Sequence, residues 1–159
     1  APILLAGIGD TIRISLLGDP VPEIQAAFDI LQATGRRVRK PELIACPTCG
    51  RLEIDLEGII EKVQVELDQR KLPPMTISIL GCIVNGIGEG KTADLGIAAG
   101  QGKGVIFRRG ELVKRVTEAE MVPALLEEAE KLAADMREGR AASSHFGSAS
   151  SSSPLAILQ

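Results

Sequence analysis

Apolar and polar residues alternate along Thr11-Ile12-Arg13-Ile14-Ser15-Leu16, which predicts a β-strand. Asp19-Pro20-Val21-Pro22-Glu23 then opens a helix, since proline is tolerated in a first turn. Ile24, Ala27, Phe28 and Leu31 form its apolar stripe, and Gly35 is placed to end it. The strand and helix expose apolar faces for which the neighbouring sequence offers no partner, so they read as the end of something larger. Arg36 to Pro41 is a basic linker. Glu42-Leu43-Ile44-Ala45 predicts a short strand. From Leu56 to Gln69 the period becomes helical, with Ile59, Ile60, Val63 and Leu67 on one face, and Pro73-Pro74 ends the helix. Met75 to Leu80 reads as a buried strand. Two strands joined by a crossover helix are expected to be parallel, with the loops that follow them emerging at one sheet edge.

Leu95 to Ala99 predicts a further strand, and Lys103 to Val116 a hairpin around Arg109-Gly110. Thr117-Glu118-Ala119-Glu120 is a capping box for a helix reaching about Arg137, with Met121, Leu125, Ala129, Leu132 and Met136 as its stripe. After Gly139 the chain is rich in Ser and Ala, and Ser148 to Ser153 is of low complexity, so disorder is expected from residue 140 onward. The pattern describes an α+β fold, a mixed sheet flanked by helices.

Composition sharpens this picture. A chain of 159 residues bounds one ordinary domain, or a small domain with a fragment. It is 45% hydrophobic but only 2% aromatic, so the core must be aliphatic. Scarce aromatics, a net charge of -3 and scattered basic residues argue against nucleic acid as a partner. No apolar run reaches the length of a membrane span, and no export signal is visible, so no membrane association is expected. Three cysteines with no pairing pattern suit a reducing cytoplasm.

Those cysteines carry the candidate chemistry. All lie in two glycine-marked segments, Ala45-Cys46-Pro47-Thr48-Cys49-Gly50-Arg51 and Gly81-Cys82-Ile83-Val84-Asn85-Gly86-Ile87-Gly88-Glu89-Gly90. Three thiols make no closed disulfide set and fall one short of a four-thiolate site. Glu89, on the same loop as Cys82, is the candidate to complete them. Three thiolates plus a replaceable oxygen describe an iron–sulfur cluster with one reactive iron. Other readings stand beside this one. The Cys46–Cys49 pair alone suits a redox dithiol, although Arg51 to Asp55 is a poor helix start. With His145 as fourth ligand the thiols suit structural zinc. Asn85 to Thr92 approaches a phosphate-binding loop, but Asn85 stands where glycine is needed and no helix pattern follows. The backbone amides of Gly100 to Gly104 could meet an anion.

These residues resemble the 4-hydroxy-3-methylbut-2-enyl diphosphate synthase family of the non-mevalonate isoprenoid pathway. The likeness runs through Gly7-Ile8-Gly9-Asp10-Thr11-Ile12-Arg13, Ile44 to Cys49, Gly81 to Gly86, Gly88-Glu89 and Ala93-Asp94-Leu95-Gly96. It implies a [4Fe-4S] cluster held by Cys46, Cys49, Cys82 and Glu89, with Glu89 also catalytic and Asn85 a substrate contact. The implied reaction is a two-electron reductive ring opening of 2-C-methyl-D-erythritol 2,4-cyclodiphosphate, with flavodoxin or ferredoxin as electron donor. It further implies a cluster domain similar to repeats of sulfite and nitrite reductases, preceded by a (β/α)8 barrel, in a homodimer of the full-length parent. Residues 1–38 then match only the last strand and helix of the barrel, 39–139 the cluster domain, and 140–159 a disordered tail. The chain is expected to be a C-terminal piece, inactive by itself, located in the cytoplasm or, in a plant, the plastid stroma. Ile87 stands where the family's loop has proline, which leaves the turn carrying Glu89 less rigid. The reading from another class is a non-catalytic, zinc-stabilised interaction domain.

Overall fold

The computed structural model describes residues 2–46, 49–52, 54–82, 86 and 92–141. Two compact units divide between Arg39 and Lys40. In the first, a single helical turn, α1 (Pro2–Leu5), precedes α2 (Val21–Ala33). Asp19 Oδ1 accepts from the Val21 N–H at 3.0 Å, so the helix begins where the Asp-Pro signal places it. At the other end Arg36 N–H reaches the Leu31 carbonyl and Gly35 N–H that of Gln32. Gly35 sits at φ +66°, the left-handed turn that this C-terminal cap requires.

The strand expected over Thr11–Leu16 does not form. The segment pairs with no strand among the described residues. Alternation supplies two faces, whereas a strand also needs a neighbour for its backbone groups. Here the Leu16 N–H instead donates to the Glu23 carboxylate at 3.0 Å. No residue of α2 is buried, and Ile24, in its expected stripe, is 61% exposed.

The second unit is a mixed five-stranded sheet flanked by two long helices. Its strands are β1 (Glu42–Ala45), β2 (Thr76–Leu80), β3 (Leu95–Gly100), β4 (Lys103–Arg108) and β5 (Glu111–Thr117), in the spatial order β1-β2-β3-β4-β5. β1, β2 and β3 run parallel, and the last two pairings are antiparallel. The crossover from β1 to β2 is α3 (Leu56–Gln69). Its N-cap Asp55 accepts from the Gly58 N–H at 3.0 Å, and a side chain at position 58 would collide with that carboxylate. Both hairpins turn on two residues with positive φ, Gln101-Gly102 and Arg109-Gly110, the twist that two-residue hairpins favour. Thr117 and Glu120 close the expected capping box around a 3-10 turn, Glu118–Glu120, and α4 (Met121–Arg137) follows.

Leu56, Ile59, Val63 and Leu67 of α3 and Met121, Leu125, Ala129 and Leu132 of α4 join Ile77, Ile79, Leu95, Ile97 and Ile106 in one apolar cluster. The contributing residues of β2 and β3 alternate, so both helices cover one face of the sheet. Ile60 and Met136, also expected in the stripes, lie at its margin, half-buried. The core is aliphatic, as the scarcity of aromatics requires.

Candidate metal centre

The parallel β1–β2 pair positions two of the three thiols. Ala45 lies opposite Ile79 in the ladder, and the Cys46 N–H continues it by donating to the Ile79 carbonyl at 3.3 Å. Cys46 therefore leaves the end of β1 beside the end of β2, and Cys82 follows β2 by two residues. A side chain at the intervening Gly81 would stand 3.9 Å from Cys46 Sγ and 2.4 Å from Leu52 Cδ1. Glycine there keeps the space beside the Cys46 sulfur open and lets Leu52 lie against the backbone. Cys46 is half-buried, Cys82 buried and Cys49 exposed.

Cys49 sits on a turn closed by the Leu52 N–H donating to its carbonyl at 3.0 Å. Leu52 anchors that turn on Gly81, so the second thiol is tied to the strand end that delivers the third. Within the turn the backbone N–H of Arg51, and then its guanidinium, hydrogen-bond the Cys49 sulfur and hold its thiol below the ordinary value. The shift is toward the thiolate, which is the form that binds metals. Sequence reasoning missed this role, treating Arg51 only as part of a poor helix start. The signal was a basic residue two positions after a cysteine in a glycine-marked turn.

Gly86, in the segment that carries Cys82, is held at two points. Its N–H donates to the Cys82 carbonyl at 3.1 Å. A Cβ on Gly86 would fall 2.0 Å from Ala98 Cβ and 3.0 Å from Ala98 Cα. The glycine is needed for close approach to β3, and its bond to the Cys82 carbonyl links that contact to the third thiol's residue. At the opposite end of β2 and β3, buried Asp94 accepts from the Thr76 N–H at 2.9 Å and the Thr76 hydroxyl at 3.1 Å, while its carbonyl takes the Arg109 N–H at 3.0 Å. This network ties the parallel strands to the second hairpin, away from the thiols.

Asn85, Glu89, Ile87, Gly88 and Gly90 lie outside the described residues, as do His145 and Pro47. Among the described residues no three His, Cys, Asp or Glu side chains gather as donors to one ion. The glycines of Gly100 to Gly104 serve the β3–β4 turn. The segment beginning at Asn85 leads into strand β3, not the helix that a phosphate-binding loop precedes. No helix among the described residues is long and apolar enough to cross a membrane.

Residues 42–131, more than half of the chain, match the family model described as GcpE protein C-terminal domain. The chain is similar to 4-hydroxy-3-methylbut-2-en-1-yl diphosphate synthase (flavodoxin) of Tropheryma whipplei strain Twist, 48% identical over 136 residues, 86% of this chain and 36% of the relative. The protein of the same description from Geobacter sulfurreducens is 49% identical over 84% of this chain and 38% of its own length. That from Aquifex aeolicus is 45% identical over 84% and 37%. The chain thus spans little more than a third of the curated relatives it matches.

Proposed function

The chain belongs to the family described as the GcpE protein C-terminal domain, and on that footing we propose that it is the iron–sulfur part of an oxidoreductase of isoprenoid biosynthesis. The reaction is the reductive conversion of 2-C-methyl-D-erythritol 2,4-cyclodiphosphate to (E)-4-hydroxy-3-methylbut-2-enyl diphosphate. One observation carries the reading: parallel β1 and β2 bring Cys46 and Cys82 to one sheet edge, with the Cys49 turn anchored beside them through Leu52. The donor set suits a [4Fe-4S] group. Its ligands are soft thiolates, each on its own iron, so they need not gather on one ion, and Cys49 is already held toward the thiolate. When bound, that group supplies electrons to the substrate.

In this reading Cys46, Cys49 and Cys82 hold the group, and Glu89 holds the fourth position with an oxygen that can be displaced. Gly86 links Cys82 to β3, and Asn85 contacts substrate. Residues 39–139 are the cluster domain, similar to repeats of sulfite and nitrite reductases, and 140–159 a disordered tail. Residues 1–38 are the last strand-and-helix unit of a (β/α)8 barrel, whose strand pairs only beside the rest of the barrel. Flavodoxin or ferredoxin delivers the electrons, and the full-length parent works as a homodimer. Three free thiols suit the reducing cytoplasm, or the plastid stroma in a plant.

Anaerobic reconstitution of the chain tests the proposal. About four iron and four sulfide per chain are expected, whereas stoichiometric zinc without sulfide overturns it in favour of a zinc-stabilised domain. Cys82→Ala should lose the iron, and Glu89→Ala should retain much of it.

A further inference from the structure

The segment after α2 is the most basic stretch of the chain. Arg36, Arg37, Arg39 and Lys40 follow closely on one another in a sequence whose net charge is -3, and all four are exposed. Elsewhere the described cations are largely taken up by carboxylates, as at Arg70, Arg108, Lys114, Lys131 and Arg140. Arg36, Arg37 and Arg39 join no ion pair among the described residues. They are nevertheless held in place. The Arg36 Nε donates to the Leu4 carbonyl at 2.7 Å, and the guanidinium carbons of Arg37 and Arg39 stand 5.6 and 3.9 Å from the centre of the Phe28 ring. Their backbone is tied to α2 as well. The N–H groups of Arg36 and Arg37 both reach the Leu31 carbonyl, at 2.8 and 3.2 Å, and that of Arg39 donates to Gln32 Oε1 at 3.2 Å.

We propose that Arg36, Arg37 and Arg39 form a docking surface for a carboxylate-rich face of another protein. A guanidinium stacked on a ring is attracted through its flat face and keeps its N–H groups in the plane, where a carboxylate can accept two of them. Side chains fixed beforehand lose less freedom on binding. A small anion is normally held in a cleft, whereas these arginines stand on an exposed turn. That arrangement suits a broad, electrostatically steered contact. A nucleic acid fits less well, because Phe28 is already engaged by arginines and the chain is only 2% aromatic. The inference goes beyond the iron–sulfur reading and does not depend on it, so a chain without metal serves for the test.

Isothermal titration calorimetry of the 159-residue chain with a short oligoglutamate peptide, at neutral pH and low ionic strength, provides that test. Binding is expected, and it should weaken as salt is raised. Arg37→Gln combined with Arg39→Gln should weaken it about three- to tenfold. Lys62→Gln combined with Lys103→Gln removes the same charge from exposed positions of the other unit and should change it less than about twofold. Phe28→Leu keeps every charge and removes the ring, and its loss should fall between those two. Circular dichroism confirms that the variants keep their helix content. No binding by the unmutated chain overturns the inference. Equal losses in the two double variants also overturn it, since the attraction would then be that of dispersed charge. So does tighter binding of an oligouridylate of similar charge, which would make the surface a nucleic-acid site.

Discussion

Helices α2 and α4 are both amphipathic, yet only one is part of a core. In α4, Met121, Leu125, Ala129 and Leu132 are shut away against the sheet, while no residue of α2 is buried and Val21 and Ile24 face solvent. Local signals do not separate them. Both end in the same glycine cap, Gly35 at φ +66° after α2 and Gly139 at φ +71° after α4, and each start carries its own signal, Asp-Pro for α2 and the Thr117–Glu120 box ahead of α4. What differs is the surroundings. α4 lies on a sheet assembled from strands distant in sequence, and the unit holding α2 contains no paired strand among the described residues. An apolar stripe specifies which face will be covered, and something else must supply the cover.

The contrast is sharpest for turnover. If catalysis needs elements that this chain does not contain, the 159-residue chain should be essentially inactive on the cyclodiphosphate even with its cluster present, since positioning alone is worth about 7–11 kcal/mol of barrier. A rate near that of a full-length relative, in the same assay, would break the argument. Stability comes next. Leu125→Ala should lower the urea-unfolding free energy by about 2–5 kcal/mol, whereas Ile24→Ala should change it by less than about 0.5 kcal/mol. Equal losses would mean that α2 has a cover of its own.

Gly86→Ala forces a methyl into Ala98 and should cost about 1–3 kcal/mol, with less iron retained after reconstitution. An unchanged melt would show that Cys82 is not tied to β3 there. The smallest effect concerns the acids around α4. The Asp135 carboxyl is held below its usual range by Arg140 and Arg108, that of Glu127 by Lys131 and Lys114, and that of Glu120 by the Thr117 N–H and hydroxyl. Each lowered value means that the folded chain binds its proton less readily than the unfolded chain. Their contribution is therefore full above the ordinary carboxylate range of about 4 and is lost as pH falls below it. Glu120 and Glu127 are exposed and Asp135 is half-buried at the surface, so raised salt should flatten that part of an acid-unfolding curve.

Much of the second unit was legible because its signals are local and agree. The crossover α3, β2 and the hairpin around Arg109-Gly110 follow from periodicity, length and turn residues, and parallel pairing follows from the crossover. The two cysteine segments stood out by composition alone. What escaped was relational. Thr11 to Leu16 alternates like a strand, but alternation says nothing about a neighbour. Nothing in the sequence marks Gly86 as a packing position, and only the 2.0 Å approach of a Cβ there to Ala98 shows it as a contact. Arg51 lies two residues from Cys49, within the turn that the Leu52 N–H closes on the Cys49 carbonyl.

The ladder that joins Cys46 to Ile79 also sets an order of events. While the chain is being made, or while it is unfolded, Cys46 and Cys49 are near neighbours, but Cys82 is separated from them by the whole of α3 and β2. Bringing it back requires closing that long loop, an entropic cost met only when β1 and β2 pair. Iron offered to a nascent chain would find a two-thiol chelate, open to exchange and oxidation. The same iron offered after the sheet has formed would find all three thiols presented together. On the iron–sulfur reading proposed above, loading is a late step that depends on completed folding, and a variant that slows β1–β2 pairing should accumulate as metal-poor protein even when its final stability is normal.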